Sequence, residues 1–233
     1  MVTTPDDYRL QVLLILCLGT FIIQGCAGLN KNLADRELLP ASGKAKHMAE
    51  KALGDLYPDR FNALHRVRLS AGGDTHVLTG FLSIDRYKRK IKMICQGEMG
   101  GTLFEVHIAD DNIDVVSEGK VFKKRWIERY VATDIKQIYL TMAAENAICL
   151  SGPDGTFILK NRNGEQVQVY KFDTAQNDET SLRPVEFQIL KNNRSRYLMA
   201  LNYEPGSVYP EFITIDNRAG RYTLDLSVRY MMQ

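Results

Sequence analysis

Much of the equipment of an enzyme is missing from this chain. It has four histidines, four cysteines and one tryptophan in 233 residues. There is no G-x-S-x-G elbow, no H-E-x-x-H helix, no phosphate-binding glycine loop and no C-x-x-C. His47, His65, His76 and His107 are scattered, and none stands at metal-ligand spacing from another ligand type. They read as surface or internally satisfied side chains. Asp110, Asp111 and Asp216 adjoin turn residues and read as turn formers rather than paired acids. These absences predict a protein that is not an enzyme and uses no metal or cofactor. Charge of one sign is also missing: a net +2 gives no general case for nucleic acid. Internal repeats, low-complexity tracts and interdomain linkers are absent as well.

Only one long apolar run is present, from Val12 to Ile23. It has the length of a signal-peptide core and is short for a membrane span. It ends in Ile23-Gln24-Gly25-Cys26. Ordinary signal cleavage wants a small residue at −3, where Ile23 stands. Residues 1–11 carry Arg9 against Asp6 and Asp7, an acidic balance unusual for a signal sequence. A start placed too far upstream would account for it, and a buried helix or uncleaved anchor is the competing reading.

The four residues ending at Cys26 resemble a bacterial lipobox. The resemblance implies a signal peptide over residues 1–25, a diacylglycerol thioether and amide-linked palmitate or similar chain at Cys26, and a lipidated tether over 26–42. Two or three acyl chains make a stable anchor where one is marginal. Ala27 and Gly28 follow the cysteine with no aspartate, which in such lipoproteins implies the outer membrane, facing the periplasm. With Cys17 removed and Cys26 modified, Cys95 and Cys149 remain. Each sits in an apolar run, so a disulfide and two free buried thiols are both open.

The rest reads as one domain, 43–233. Apolar content of 45% and charged content of 25% are ordinary globular values. Ala45, Met48, Ala49, Ala52, Leu53 and Leu56 repeat at helical spacing until Tyr57-Pro58. The period then changes to two, through Val67 and Leu69, Thr75 to Ile84, Arg89 to Cys95, Thr102 to Ala109 and Ile113 to Val116. Helical spacing returns from about Lys124 to Met142. Strands resume at Ala147 and run to Tyr230, with Asn163-Gly164 as a hairpin turn. Short connections and alternation predict an antiparallel meander. The fold class is α+β, mainly antiparallel β. The expected architecture is a half-open, curled β-barrel of about 11 strands, its mouth covered by helices, with an apolar cavity between helix and sheet.

This order of elements, with the lipobox, resembles the LolA/LolB lipoprotein-localisation fold over residues 43–233. It is closest to the LolB-like outer-membrane lipoproteins, including uncharacterised ones of aryl-polyene lipid gene clusters. The resemblance implies non-enzymatic lipid binding and transport. The partners would be an acyl chain or the lipid moiety of a lipoprotein, the membrane through the N-terminal anchor, and a periplasmic carrier protein. The expected cavity walls are Ile127, Val131, Ile135 and Ile138 on the second helix, and Leu224, Leu226 and Val228 on the last strand. Tyr222 and Tyr230 end that strand, with hydroxyls placed for a head group at the rim. Met99, between glycines in Gln96-Gly97-Glu98-Met99-Gly100-Gly101, is the candidate membrane-contacting loop residue, with packing on the barrel end as its alternative. Two basic clusters stand out: Arg86 to Lys90 with Lys92, and Lys120, Lys123, Lys124, Arg125 with Arg129. They are either a solvated face or a rim for anionic head groups. The rival function is a structural lipoprotein with a filled core that binds a protein partner.

Overall fold

A computed structural model describes residues 38–118, 121–141, 146–152, 156–163, 165–175 and 178–232. The apolar run, the lipobox with Cys26, Lys120, Met142 and Gly164 lie outside the described residues. Leu38 to Gln233 form one compact unit.

The unit starts where a free tether was expected. Leu39–Pro40 form a short strand, β1, paired to Leu150 and Ser151. Ala41 then donates its amide to the Cys149 carbonyl. Helix α1 (Gly43–Gly54) follows. Its N-terminus is capped by Ser42, whose hydroxyl accepts from the Ala45 amide at 3.2 Å. Ala49 and Leu53 are buried on its inner face, and the small alanines let the helix lie close to the sheet.

Five strands come next: β2 (Arg60–Ala71), β3 (Asp74–Asp85), β4 (Lys90–Gly97), β5 (Thr102–Ala109) and β6 (Asn112–Glu118). Helix α2 runs through Lys124–Trp126, a π-helical segment Ile127–Val131, and Ala132–Tyr139. Seven more strands complete the unit: β7 (Ile148–Ser151), β8 (Phe157–Asn163), β9 (Gln166–Ala175), β10 (Asp178–Lys191), β11 (Arg194–Asn202), β12 (Phe212–Asn217) and β13 (Tyr222–Met232). All pair antiparallel in one sheet, in the order β1-β7-β8-β9-β10-β11-β12-β13-β2-β3-β4-β5-β6.

Two expectations need correction. The sheet has 13 strands among the described residues rather than about 11, and where a half-open, curled barrel was expected it is an open sheet. β6 forms one edge and β1 the other. A strand of two residues such as β1 carries no readable period, so the sequence pattern misses it.

The topology places α2. It leaves β6 at one edge and must reach β7, next to the opposite edge. The chain therefore crosses the face of the sheet. Alternation defines that face. Phe61, Ala63, His65, Val67 and Leu69 of β2 point inward, while Arg66 and Arg68 are exposed. Inward residues meet in register: Leu226 faces Val67, Val67 faces Leu78, and Met93 faces Val106. Against them α2 buries Ile127, Ile135, Ile138 and Tyr139. Each such side chain contributes about 1.5–3 kcal/mol of burial.

Candidate functional site

A cavity of about 50 Å³ lies between α2 and the inner faces of β13, β2, β3, β4 and β5. Val131, Ile135 and Ile138 line it from the helix, and Tyr222, Leu224 and Leu226 from β13. Val67, Leu69, Leu78, Met93 and Phe104 add to its apolar wall from the other strands, and so do Phe122 and Trp126 at the start of α2. Ile127 and Val228 are buried but lie outside this lining. Tyr230 is elsewhere too. It packs against Tyr57, Phe61 and Tyr209, and its hydroxyl donates to the Pro210 carbonyl at 2.6 Å.

The tyrosine hydroxyls do not ring the cavity as the sequence suggested. Tyr222 points into the fold and donates to Asp134 at 2.5 Å. Asn217 donates to the Tyr222 hydroxyl at 2.7 Å and, at 3.5 Å, to the other Asp134 oxygen. Gly220 gives its amide to Asn217 Oδ1 at 2.8 Å. A side chain at position 220 would run into the Tyr222 ring. Asp134 is only 2% exposed, and burial pushes its carboxyl up to about 7, against the pull of these hydrogen bonds.

A second buried polar contact joins α2 to β2: His65 Nε2 with the Tyr139 hydroxyl. His65 is 1% exposed, and burial lowers its pKa to about 3, so the ring is neutral. Asp134 and His65 both line the cavity, as does Cys95. They do not assemble a thiol nucleophile. His65 Nε2 is bonded to Tyr139, and burial pushes the Cys95 thiol up to about 12, the wrong direction for a reactive cysteine. Cys95 and Cys149 are both free and buried. Sequence reasoning passed over Asp134 and left His65 as a surface or internally satisfied side chain, yet a signal for a buried polar group existed at each. Asp134 stands three residues after Val131 and four before Ile138, a charge on the apolar stripe. His65 holds an inward position between Ala63 and Val67.

Beyond Tyr139 the fold is shut by polar contacts. Arg86 donates Nε to the Tyr139 carbonyl at 3.1 Å and Nη1 to the Gly54 carbonyl at 2.9 Å and to the Tyr57 carbonyl. One guanidinium thus satisfies carbonyls at the C-terminal ends of both helices. It belongs to the first basic cluster, two other members of which form ion pairs. Arg89 meets Asp110 at 3.2 Å and Lys92 meets Glu105 at 3.1 Å.

Met99 sits fully exposed at the tip between β4 and β5, where Gly100 takes a φ of 81°. It does not fold back onto the sheet. The second basic cluster lies at the start of α2, with Lys123, Lys124, Arg125 and Arg129 all exposed.

An open antiparallel sheet holding two helices on its inner face, with an apolar cavity beneath the longer one, defines the class of protein. No family model matches the chain. No curated protein matches it either. Among solved structures it is similar to a LolA superfamily protein from Nitrosomonas europaea, with a TM-score of 0.53 at 9% identity, over 81% of this chain and 93% of that one. It is also matched to a DUF1329 family protein from Desulfovibrio piger, with a TM-score of 0.45 at 7% identity, over 80% of this chain and 91% of that one. The chain has a LolA-like fold.

Proposed function

We propose that this chain is a non-enzymatic, lipid-anchored protein of the outer membrane, facing the periplasm. It holds an acyl chain, or the lipid moiety of a lipoprotein, between α2 and the sheet. Its role is lipid or lipoprotein transport, with Cys26 as the anchor and Met99 as a membrane-contacting tip. The observation that carries this reading is the cavity. Its walls are aliphatic and aromatic on both helix and sheet, and its polar side chains His65, Asp134 and Tyr222 each have a hydrogen-bond partner within the fold. The LolA-like fold supports the same reading.

A second reading has its own support. The cavity of about 50 Å³ is far below the roughly 300–1,000 Å³ of ordinary ligand pockets. If α2 never lifts, the core is in effect filled. The protein is then an interaction lipoprotein that binds a protein partner. Organic extraction of the purified full chain, followed by mass spectrometry, separates the two. Extraction removes a non-covalent lipid and leaves a thioether-linked anchor in place. The carrier reading expects an acyl lipid in the extract at about one per chain. An empty extract, together with no binding of a fluorescent fatty-acid analogue, leaves the interaction protein.

A further inference from the structure

The two ends of the cavity differ. Toward Tyr139 it is closed by Phe61 and Tyr57, which are buried, and by the Arg86 contacts. At the start of α2 the wall is one aromatic layer thick. Phe122 and Trp126 line the cavity, and both are partly exposed to solvent. Their rings stack, with centroids 5.3 Å apart and planes at 20°. Phe104 meets Phe122 edge-on at 5.8 Å, and Trp126 lies 5.7 Å from the Tyr222 ring. Stacked rings make a seal that opens by rotation about side-chain bonds, without breaking a hydrogen-bonded element.

The surroundings of that seal are cationic. Lys123, Lys124 and Arg125 run directly between Phe122 and Trp126 and are exposed. No acidic residue stands in the first helical turn there. Glu128, one turn on, engages Lys124 at 3.9 Å, and Arg129 next to it carries the opposite charge. Local folding does not account for the cluster, because cations at the start of a helix oppose its dipole. Three positive side chains beside an aromatic door to an apolar cavity match one kind of molecule: a chain with an anionic end.

We propose that the Phe122–Trp126 stack is the portal of the cavity, and that Lys123, Lys124 and Arg125 bind the anionic head group of the acyl lipid that enters it. This rests on the acyl-binding reading above and specifies the ligand's class as a phosphate- or carboxylate-headed amphiphile. The head stays outside with the three cations while the chain passes the two rings.

Trp126 is the chain's single tryptophan, so its fluorescence reports on the portal alone. The full chain is titrated with lysophosphatidylglycerol and with lysophosphatidylcholine of the same chain length, each brominated on the chain. Quenching of Trp126 is expected on binding, with at least tenfold tighter binding of the anionic lipid at low salt. The preference should collapse in 0.5 M salt, since such attraction is screened. A chain carrying Lys123→Glu, Lys124→Glu and Arg125→Glu should lose the preference and keep its affinity for the zwitterionic lipid. The salt titration on the unmodified chain carries the same test if that variant fails to fold. Equal affinity for the two lipids, or binding without quenching, overturns the portal and leaves the carrier reading intact. Full competition by millimolar inorganic phosphate would also overturn it, as a free-anion site. Binding of neither lipid overturns both readings.

Discussion

Asp134 and His65 should shape the stability of this fold against pH in opposite directions. Asp134 is pushed up from the ordinary 3.8 to about 7, mainly by burial. The folded state therefore holds its proton more tightly than the unfolded chain does. Its contribution is fully present below pH 3.8 and is lost as pH rises toward 7. His65 is lowered from the ordinary 6.5 to about 3 by burial. Its contribution is full above pH 6.5 and is lost as pH falls toward 3. Each shift is worth on the order of 4 kcal/mol over its window, so between pH 4 and 6.5 the two slopes largely cancel. Asp134→Asn keeps an acceptor for Tyr222 and removes the titration. Between pH 4 and 7 that variant should gain on the order of 3 kcal/mol relative to the unmodified chain, with no further gain above about pH 8. For a domain of this size that is a change in Tm of roughly 6–12 °C. The groups facing Asp134 are Tyr197 of β11, Tyr222 of β13 and Asn217 of β12, and none ionises in this range. Urea melts of both chains at unit pH steps provide the difference. Parallel curves from pH 4 to 8 would refute the reasoning, since they would mean that the Asp134 proton is held equally in the folded and unfolded chains.

Other perturbations test separate parts of the molecule. Arg86→Met should expose helix ends by leaving three carbonyls without their donor. The expected cost is about 2–4 kcal/mol, with faster amide exchange confined to residues 54–57 and 136–141; unchanged exchange there would count against the bridging role. Leu226→Trp places a larger ring in a cavity of about 50 Å³, so overpacking should cost about 1–3 kcal/mol and binding of a fatty-acid analogue should stop. A stable variant that binds as well as the unmodified chain would remove Leu226 from the site. On a Cys26→Ser background, where the proposed anchor does not itself hold the chain to the vesicle, Met99→Glu should leave Tm within about 1 °C, because a fully exposed tip residue stabilises little, while liposome flotation is lost; retained flotation would take Met99 out of the proposed membrane contact. Cys26→Ser should abolish incorporation of labelled palmitate, and persistence of the label would remove the proposed anchor.

How far the sequence revealed this fold depended on how many residues carried each signal. Long, alternating strands were legible. Tyr222, Leu224, Leu226, Val228 and Tyr230 share one face as their period of two required. Helix α1 was bounded within two residues because Ala49 and Leu53 repeat cleanly and Tyr57-Pro58 follows. β1 was not legible, for two residues have no period. The π-helical turn of α2 was hidden for a related reason. The Ala132 amide bonds to the Ile127 carbonyl, one residue further back than in an α-helix. An extra residue in one turn barely disturbs a spacing of three and four, yet it sets Trp126 and Tyr130 over Tyr222. The site itself was half legible. The aliphatic stripe pointed to the cavity wall, but the partners of Asp134 and His65 are set by strands distant in sequence. Asp134 meets Tyr222 across 88 residues and His65 meets Tyr139 across 74. No local pattern predicts such a pairing.

These two pairings bear on how a closed cavity could admit a chain. With α2 in place the free volume is about 50 Å³, which accommodates little more than a fragment of an acyl chain. Entry therefore requires α2 to shift outward along part of its length. Detaching it completely would unbury Ile127, Ile135, Ile138 and Tyr139, a cost of about 6–12 kcal/mol at 1.5–3 kcal/mol each. Breaking the contacts of Asp134 and His65 would add about 1–3 kcal/mol for each buried group left unpaired. A chain of about twelve methylenes recovers roughly 10 kcal/mol at 0.8 kcal/mol per methylene, before association costs of at least about 4 kcal/mol. Full detachment is therefore not offset by the chain. A partial shift is, provided that it spares Asp134, Tyr139 and the Arg86 bridge, so that of the four buried side chains only Ile127 is given up, at about 1.5–3 kcal/mol. The first two turns of α2, from Lys124 to Val131, fit that condition. Their seal on the cavity is Phe122 and Trp126, and the π-helical turn marks where the segment joins the regular helix that carries both polar contacts.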